Sequence, residues 1–207
     1  MEWTETLCRE TGIRFLTTRP SEIEAASFAI IKEELGQEFL KACPQDQLPV
    51  LCRVIHTTAD FDYAKNLRFT PGAVQKAVEA LHKGTFLVTD TNMALAGITK
   101  PGLAKLGGQA ACYMADPEVA AQAKAGGTTR AVAAMHKAAA EHPGAILAVG
   151  NAPTALLTIA EQIEAGLRPA LVIGVPVGFV NVVESKERLF VTCEAHGVPA
   201  IVAMGRK

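Results

Sequence analysis

Five short apolar runs, set between segments of helical spacing, do most to limit what this chain can fold into. They are Thr85–Thr91 (TFLVTDT), Gln109–Ala115 (QAACYMA), Ala145–Ala152 (AILAVGNA), Ala170–Gly178 (ALVIGVPVG) and Ala200–Gly205 (AIVAMG). Each is nearly continuous in apolar residues rather than alternating, the pattern of strands covered by helices on both faces. The segments between them carry helical periodicity, most clearly Thr128–His142, Pro153–Ala165 and Asn181–His196. Gly166 and Gly197 stand just past two helix ends, where a left-handed residue closes a helix, and Pro71 and Pro153 stand where a first-turn proline is tolerated. Such alternation predicts a five-stranded parallel sheet with right-handed crossovers, hence a three-layer α/β/α doubly wound fold.

The first 84 residues have a different character. They read as helices, Ser21–Leu40 being the longest, and Arg53-Val54-Ile55-His56 opens another helical stretch through Arg68. The expectation is one domain over 1–207, with residues 1–84 as a helical cap and 85–207 as the sheet; 207 residues suffice for one well-buried core. Twenty Lys and Arg against 21 Asp and Glu leave a formal charge of −1, and the single Trp and two Tyr are not interleaved with basic residues. No nucleic-acid partner is expected from that balance. No run reaches the ~18 apolar residues of a membrane span. MEWTETLCRE has no apolar leader core, so a cytoplasmic protein without a membrane partner is expected. The five cysteines (Cys8, Cys43, Cys52, Cys112, Cys193) are scattered, without CxxC spacing, which argues against a disulfide framework and a zinc cage alike. HExxH, GxGxxG, GxxxxGK[ST] and GxSxG are all missing, so neither a metal nor a bound cofactor is expected.

Ligands of doubly wound sheets bind outside the carboxyl ends of the strands. That rule selects Asp90-Thr91-Asn92 after the first run, Asp116 after the second, Gly150-Asn151-Ala152-Pro153 after the third and Pro176–Asn181 after the fourth. Gly, Asn and Pro there serve either close approach to a ligand or simple turn chemistry. Gly126-Gly127-Thr128-Thr129-Arg130 leads into a helix, and fits a carboxylate or phosphate site as well as an ordinary threonine cap beside a solvated arginine. Among five histidines, His82, His136, His142 and His196 fall near helix ends and read as solvated surface. His56 differs: it lies where an apolar stretch turns polar, near Arg53, Thr57, Thr58, Asp60 and Lys65, and fits a general acid or an anchoring donor.

Taken together and in order, these pieces resemble the precorrin-8X methylmutase family of cobalamin biosynthesis. The resemblance runs from Ile23 to Lys207. It is carried by IEAASFAII (Ile23–Ile31), RVIH (Arg53–His56), the Asp90–Met93 turn and GGTTRA (Gly126–Ala131), then by GNAPTAL (Gly150–Leu156), GVPVGFVNVVESK (Gly174–Lys186) and GVPAIVAMGR (Gly197–Arg206). It implies a flavodoxin-like fold, a homodimer, and a cofactor-free isomerase that moves a methyl group from carbon 11 to carbon 12 of a precorrin-8 type tetrapyrrole, giving hydrogenobyrinate or cobyrinate. The family's catalytic histidine falls on His56, implied to protonate or hydrogen-bond the nitrogen of the ring receiving the methyl group. Its substrate contacts fall on Ser27, Arg53 and Arg130, apt partners for the carboxylates of such a macrocycle. Asp90, Thr91, Asn92 and Asn151 join them as strand-end residues expected to line the pocket, and Gly97 is either a point of close approach or a helix terminator. Members of that family continue past the equivalent of the Gly205-Arg206 turn with a Gly-rich loop and a final helix; the sequence here runs to Lys207. A tetrapyrrole carrier without turnover, or an unrelated flavodoxin-like enzyme acting on a small carboxylic acid, are the competing expectations.

Overall fold

Apolar runs bounded by Gly, Asp and Asn become short strands, most of whose residues are buried. In the computed structural model, which describes residues 8–13, 16–17 and 19–207, the five expected runs form β2 (Leu87–Thr89), β3 (Ala110–Cys112), β4 (Ile146–Val149), β5 (Leu171–Gly174) and β6 (Ala200–Ala203). Their neighbours are all parallel, in the order β3-β2-β4-β5-β6. Numbered among themselves, these five strands run 2-1-3-4-5, the flavodoxin-like order.

The sheet has a sixth strand, which corrects the expectation of five. β1 (Leu67–Phe69) lies antiparallel against the outer edge of β6, with Leu67 opposite Ala203 and Phe69 opposite Ile201. The helix expected to continue through Arg68 therefore ends early. Helix α2 (Leu48–Thr58) closes at Ala59 in the left-handed conformation, φ 54°, and only the single turn α3 (Tyr63–Asn66) precedes β1. Thr70, buried just after β1, receives the Ala200 N–H on its Oγ1 at 2.8 Å and gives its own N–H to the Ala200 carbonyl at 3.0 Å. An edge strand of this length has too few residues to show a period, so its residues read as a continuation of the helix.

The chain divides into two compact units, the first ending at Ala64 and the second running Lys65–Lys207. β1 and the helix α4 (Ala73–His82) fall in the second unit, with the other strands. The first unit is built around α1 (Pro20–Ala42), whose path breaks at Gly36 (φ 79°), and α2.

In the second unit, α5 (Asn92–Gly97) and α6 (Lys100–Lys105) lie between β2 and β3, α7 (Pro117–Ala125) and α8 (Arg130–Glu141) between β3 and β4, α9 (Pro153–Glu164) between β4 and β5, and α10 (Val182–Ala195) between β5 and β6. The β2-to-β3 step runs opposite to the others, so right-handed crossovers put its helices on the opposite face. Helices α7 to α10 pack in series as one layer. Small residues allow that layer to approach closely: Ala131, Ala133, Ala134 and Ala138 of α8 are buried beside Met135. At Gly174 on β5, an added Cβ would stand 3.1 Å from Leu189 of α10 and 3.4 Å from Leu156 of α9. The core gathers Val88, Leu147, Val149, Val172 and Val202 from the strands with Leu156, Ile159, Ile163, Leu189 and Cys193 from the helices.

Candidate functional site

Helical spacing assembles the polar constellation of the first unit. Ile23, Ser27, Ile30, Ile31 and Glu34 of α1 fall at i, i+4, i+7, i+8 and i+11, one face of the helix. With Leu16, Ala26, Ile55, His56, Ala59 and Phe61 they line an open pocket of about 320 Å³, apolar apart from Thr17, Ser27, Glu34 and His56. His56 stands in the last turn of α2, with Ile55 buried beside it. Its Nδ1 lies 2.7 Å from the Oγ of Ser27 on α1. Phe28 meets the imidazole edge-on, with ring centroids 5.5 Å apart and planes at 80°. The Arg53 guanidinium lies 4.9 Å from the centre of the Phe28 ring and pairs with Glu24 at 2.5 Å. Arg53 and Glu24 are both about half exposed, at 53% and 57%, so the pair orients the guanidinium more than it stabilises the fold.

Turn geometry at the end of α2 is set by its own side chains. Thr57 and Thr58 return their hydroxyls to the carbonyls of Arg53 and Val54, at 2.9 and 2.8 Å. Ala59, which also lines the pocket, gives its N–H to the Ile55 carbonyl at 2.7 Å. A non-glycine residue in the left-handed region costs roughly 1–2 kcal/mol.

The second unit brings another group together at the carboxyl edge of its sheet. The switch in strand order falls between β2 and β4, where a crevice opens in folds of this type. Asp90 follows β2 there and is buried to 1%. Its two carboxylate oxygens accept the N–H groups of Gly150 (2.9 Å), Asn151 (2.8 Å) and Ala152 (2.8 Å). Expected as a ligand contact, Asp90 is occupied in holding the turn that carries Asn151. Thr91 caps α5 by accepting the Ala94 N–H at 3.1 Å, Asn92 opens that helix exposed to solvent, and Asn151 is exposed as well. Arg130 is exposed at the first turn of α8, where Thr129 is the cap and shares a 3.3 Å hydrogen bond with Thr154 at the start of α9. Asp116, the polar residue after β3, is likewise engaged: it caps α7 at the Glu118 N–H (2.8 Å) and pairs with Lys137 at 2.7 Å. The Lys137 hydrogen bond holds its carboxyl below the usual range.

The four histidines assigned to solvent do not share one environment. His82, His136 and His196 are exposed, but His142 stacks on Phe86 at 3.7 Å and bonds the Tyr113 hydroxyl at 2.9 Å. His142 is packed structure, a correction to its reading as solvated surface.

Sequence reasoning passed over Lys186. It is completely buried on α10 and donates from Nζ to the carbonyls of Gly205 (2.9 Å) and Lys207 (2.7 Å). Burial pulls its ammonium down to about 8. The signal was present: Val182, Ser185, Lys186 and Leu189 fall at i, i+3, i+4 and i+7, so the lysine interrupts a buried stripe.

Comparison with known proteins follows the same stretch of chain. The family model described as CbiC, precorrin-8X methylmutase, matches residues 22–207. The cobalt-precorrin-8 methylmutase of Priestia megaterium is 42% identical over 198 residues, covering 95% of this chain and 85% of that protein. That of Salmonella typhimurium is 42% identical over 193 residues, covering 91% and 88%. The solved precorrin-8x methyl mutase of Thermus thermophilus superposes with a TM-score of 0.81 at 43% identity, over 90% of this chain and 87% of the other.

Proposed function

The chain belongs to the precorrin-8X methylmutase family, and from that premise we propose that it is an isomerase of cobalamin biosynthesis that moves a methyl group from carbon 11 to carbon 12 of a precorrin-8 type tetrapyrrole, with His56 as the acid. The observation that supports His56 is its place on the wall of an apolar pocket, one ring nitrogen engaged by Ser27. A proton delivered to, or shared with, the nitrogen of the receiving ring draws electron density towards it. The bond from carbon 11 to the methyl group breaks as the bond to carbon 12 forms on the same face, and the conjugated system rearranges around it. Substrate and product are isomers, so no electrons enter or leave, and the proton returns to the imidazole.

A positioned acid contributes about 10²–10⁴-fold, so His56→Ala is expected to lose conversion by that factor while still binding product, as followed by the corrinoid absorbance. Unchanged conversion in that variant overturns the acid role; binding without conversion by the wild type makes the protein a carrier. The two relatives named above are cobalt-precorrin-8 methylmutases, so the cobalt-bearing and metal-free macrocycles are both assayed; the protonation step belongs to the metal-free one, whose ring nitrogen keeps a lone pair for the proton. Arg53 and Arg130 are the guanidinium groups we assign to peripheral carboxylates, with Thr91, Asn92 and Asn151 as neutral contacts. Arg130→Gln should weaken product binding about tenfold or more, as loss of a charge-assisted pair does. We assign the protein to the cytoplasm, a reading its five unpaired cysteines support, and to a homodimer, which light scattering checks.

A further inference from the structure

Deepening the reading of His56 as the acid, on which it rests, we infer that Ser27 is a positioning residue: its hydroxyl holds the imidazole by Nδ1 and commits Nε2 to the substrate. The resemblance implied a substrate contact for Ser27; the 2.7 Å bond gives its hydroxyl a partner within the protein. A serine hydroxyl both donates and accepts. Against a neutral ring that carries its hydrogen on Nε2 it donates to Nδ1. Against an imidazolium it accepts from Nδ1–H, and Nε2–H is again the outward donor. Once Nε2 has given its proton to the tetrapyrrole nitrogen, Nδ1 keeps its hydrogen and still donates to the same oxygen. Ser27 can therefore follow every protonation state by turning about its own Cβ–Oγ bond, and the ring does not move during transfer.

The remaining contacts restrict the ring plane as well. Glu24, Ser27 and Phe28 stand at i, i+3 and i+4 on α1, and Arg53 and His56 at i and i+3 on α2, so each set shares a face. Phe28 braces the imidazole edge-on, and Arg53 lies over Phe28 while pairing with Glu24. Geometry of this kind lowers the entropy lost when the acid must align with a bound macrocycle.

Two measurements test Ser27 independently. Nitrogen-15 spectra of the His56 ring, recorded without substrate, should show Nδ1 shifted by its hydrogen bond in the wild type. In Ser27→Ala that shift should vanish; identical ring spectra overturn the inference. In turnover, Ser27→Ala should lower kcat about tenfold, the worth of one hydrogen bond, with KM and product affinity unchanged, and Ser27→Thr should restore the rate by restoring a hydroxyl. Because Ser27 acts through His56, the double variant Ser27→Ala/His56→Ala should convert substrate no more slowly than His56→Ala alone. Losses that add, or a raised KM with kcat held, make Ser27 a substrate contact instead. Failure of the acid reading shows separately, as full turnover by His56→Ala, and the substrate-free spectra then still decide whether Ser27 holds the ring by Nδ1.

Discussion

At the scale of single residues, burial decides which reactive groups are available. Cys193 is fully buried on α10, and burial pushes its thiol up to about 12. A thiol held so far above neutrality presents almost no thiolate, the species that reacts. Alkylation at neutral pH should therefore leave Cys193 unmodified in the folded protein and reach it only on unfolding, which peptide mapping after timed labelling checks. Cys8, Cys43 and Cys112, each partly exposed, should label first. His56 was legible as unusual because polar residues crowd it in the sequence, yet its partner Ser27 lies 29 residues away. No local pattern joins two positions on different helices; only the pairing of α1 with α2 does. Lys186 shows the opposite case, a residue whose burial was written in the spacing and was overlooked because lysine is so seldom buried.

Individual elements depend on a few contacts at their ends. Asp90 joins the carboxyl ends of β2 and β4 by accepting three N–H groups on its buried carboxylate. Asp90→Ala would leave those donors unpaired and should cost about 3 kcal/mol in chemical denaturation. It should also loosen the turn bearing Asn151, seen as faster amide exchange at Gly150–Ala152. Gly174→Ala sets a methyl 3.1 Å from Leu189, tighter than α10 and β5 accept without shifting. A loss of about 1–3 kcal/mol is expected from such overpacking. The five parallel strands were readable because cover on both faces makes apolar runs continuous, though each strand spans only three or four residues. β1 was not, since Leu67-Arg68-Phe69 alternates over only three positions and follows a helical turn.

For the molecule as a whole, stability should carry an unusual alkaline signature. Lys186 titrates at about 8 in the fold against 10.5 in the unfolded chain. Between those values the unfolded state holds a proton that the folded state lacks, so stability rises with pH. Cys193 has the contrary sign: its unfolded thiol ionises at 9.0 while the folded one stays protonated, so stability falls above that pH. The two effects overlap above 9, which leaves about pH 8–9 to Lys186. Urea midpoints should climb through that interval in the wild type and stay level in Lys186→Met; parallel slopes would remove Lys186 as the cause. The sequence by itself determined the class of fold, the number of parallel strands and the family, because continuous apolar runs and an ordered series of motifs are local properties of a chain. Strand order, the antiparallel edge, the capture of Asp90 by the 150–152 turn and the seating of His56 against Ser27 were decided by tertiary structure alone. Each joins residues far apart in the chain, and their pairing lowers the free energy only once the elements carrying them have packed.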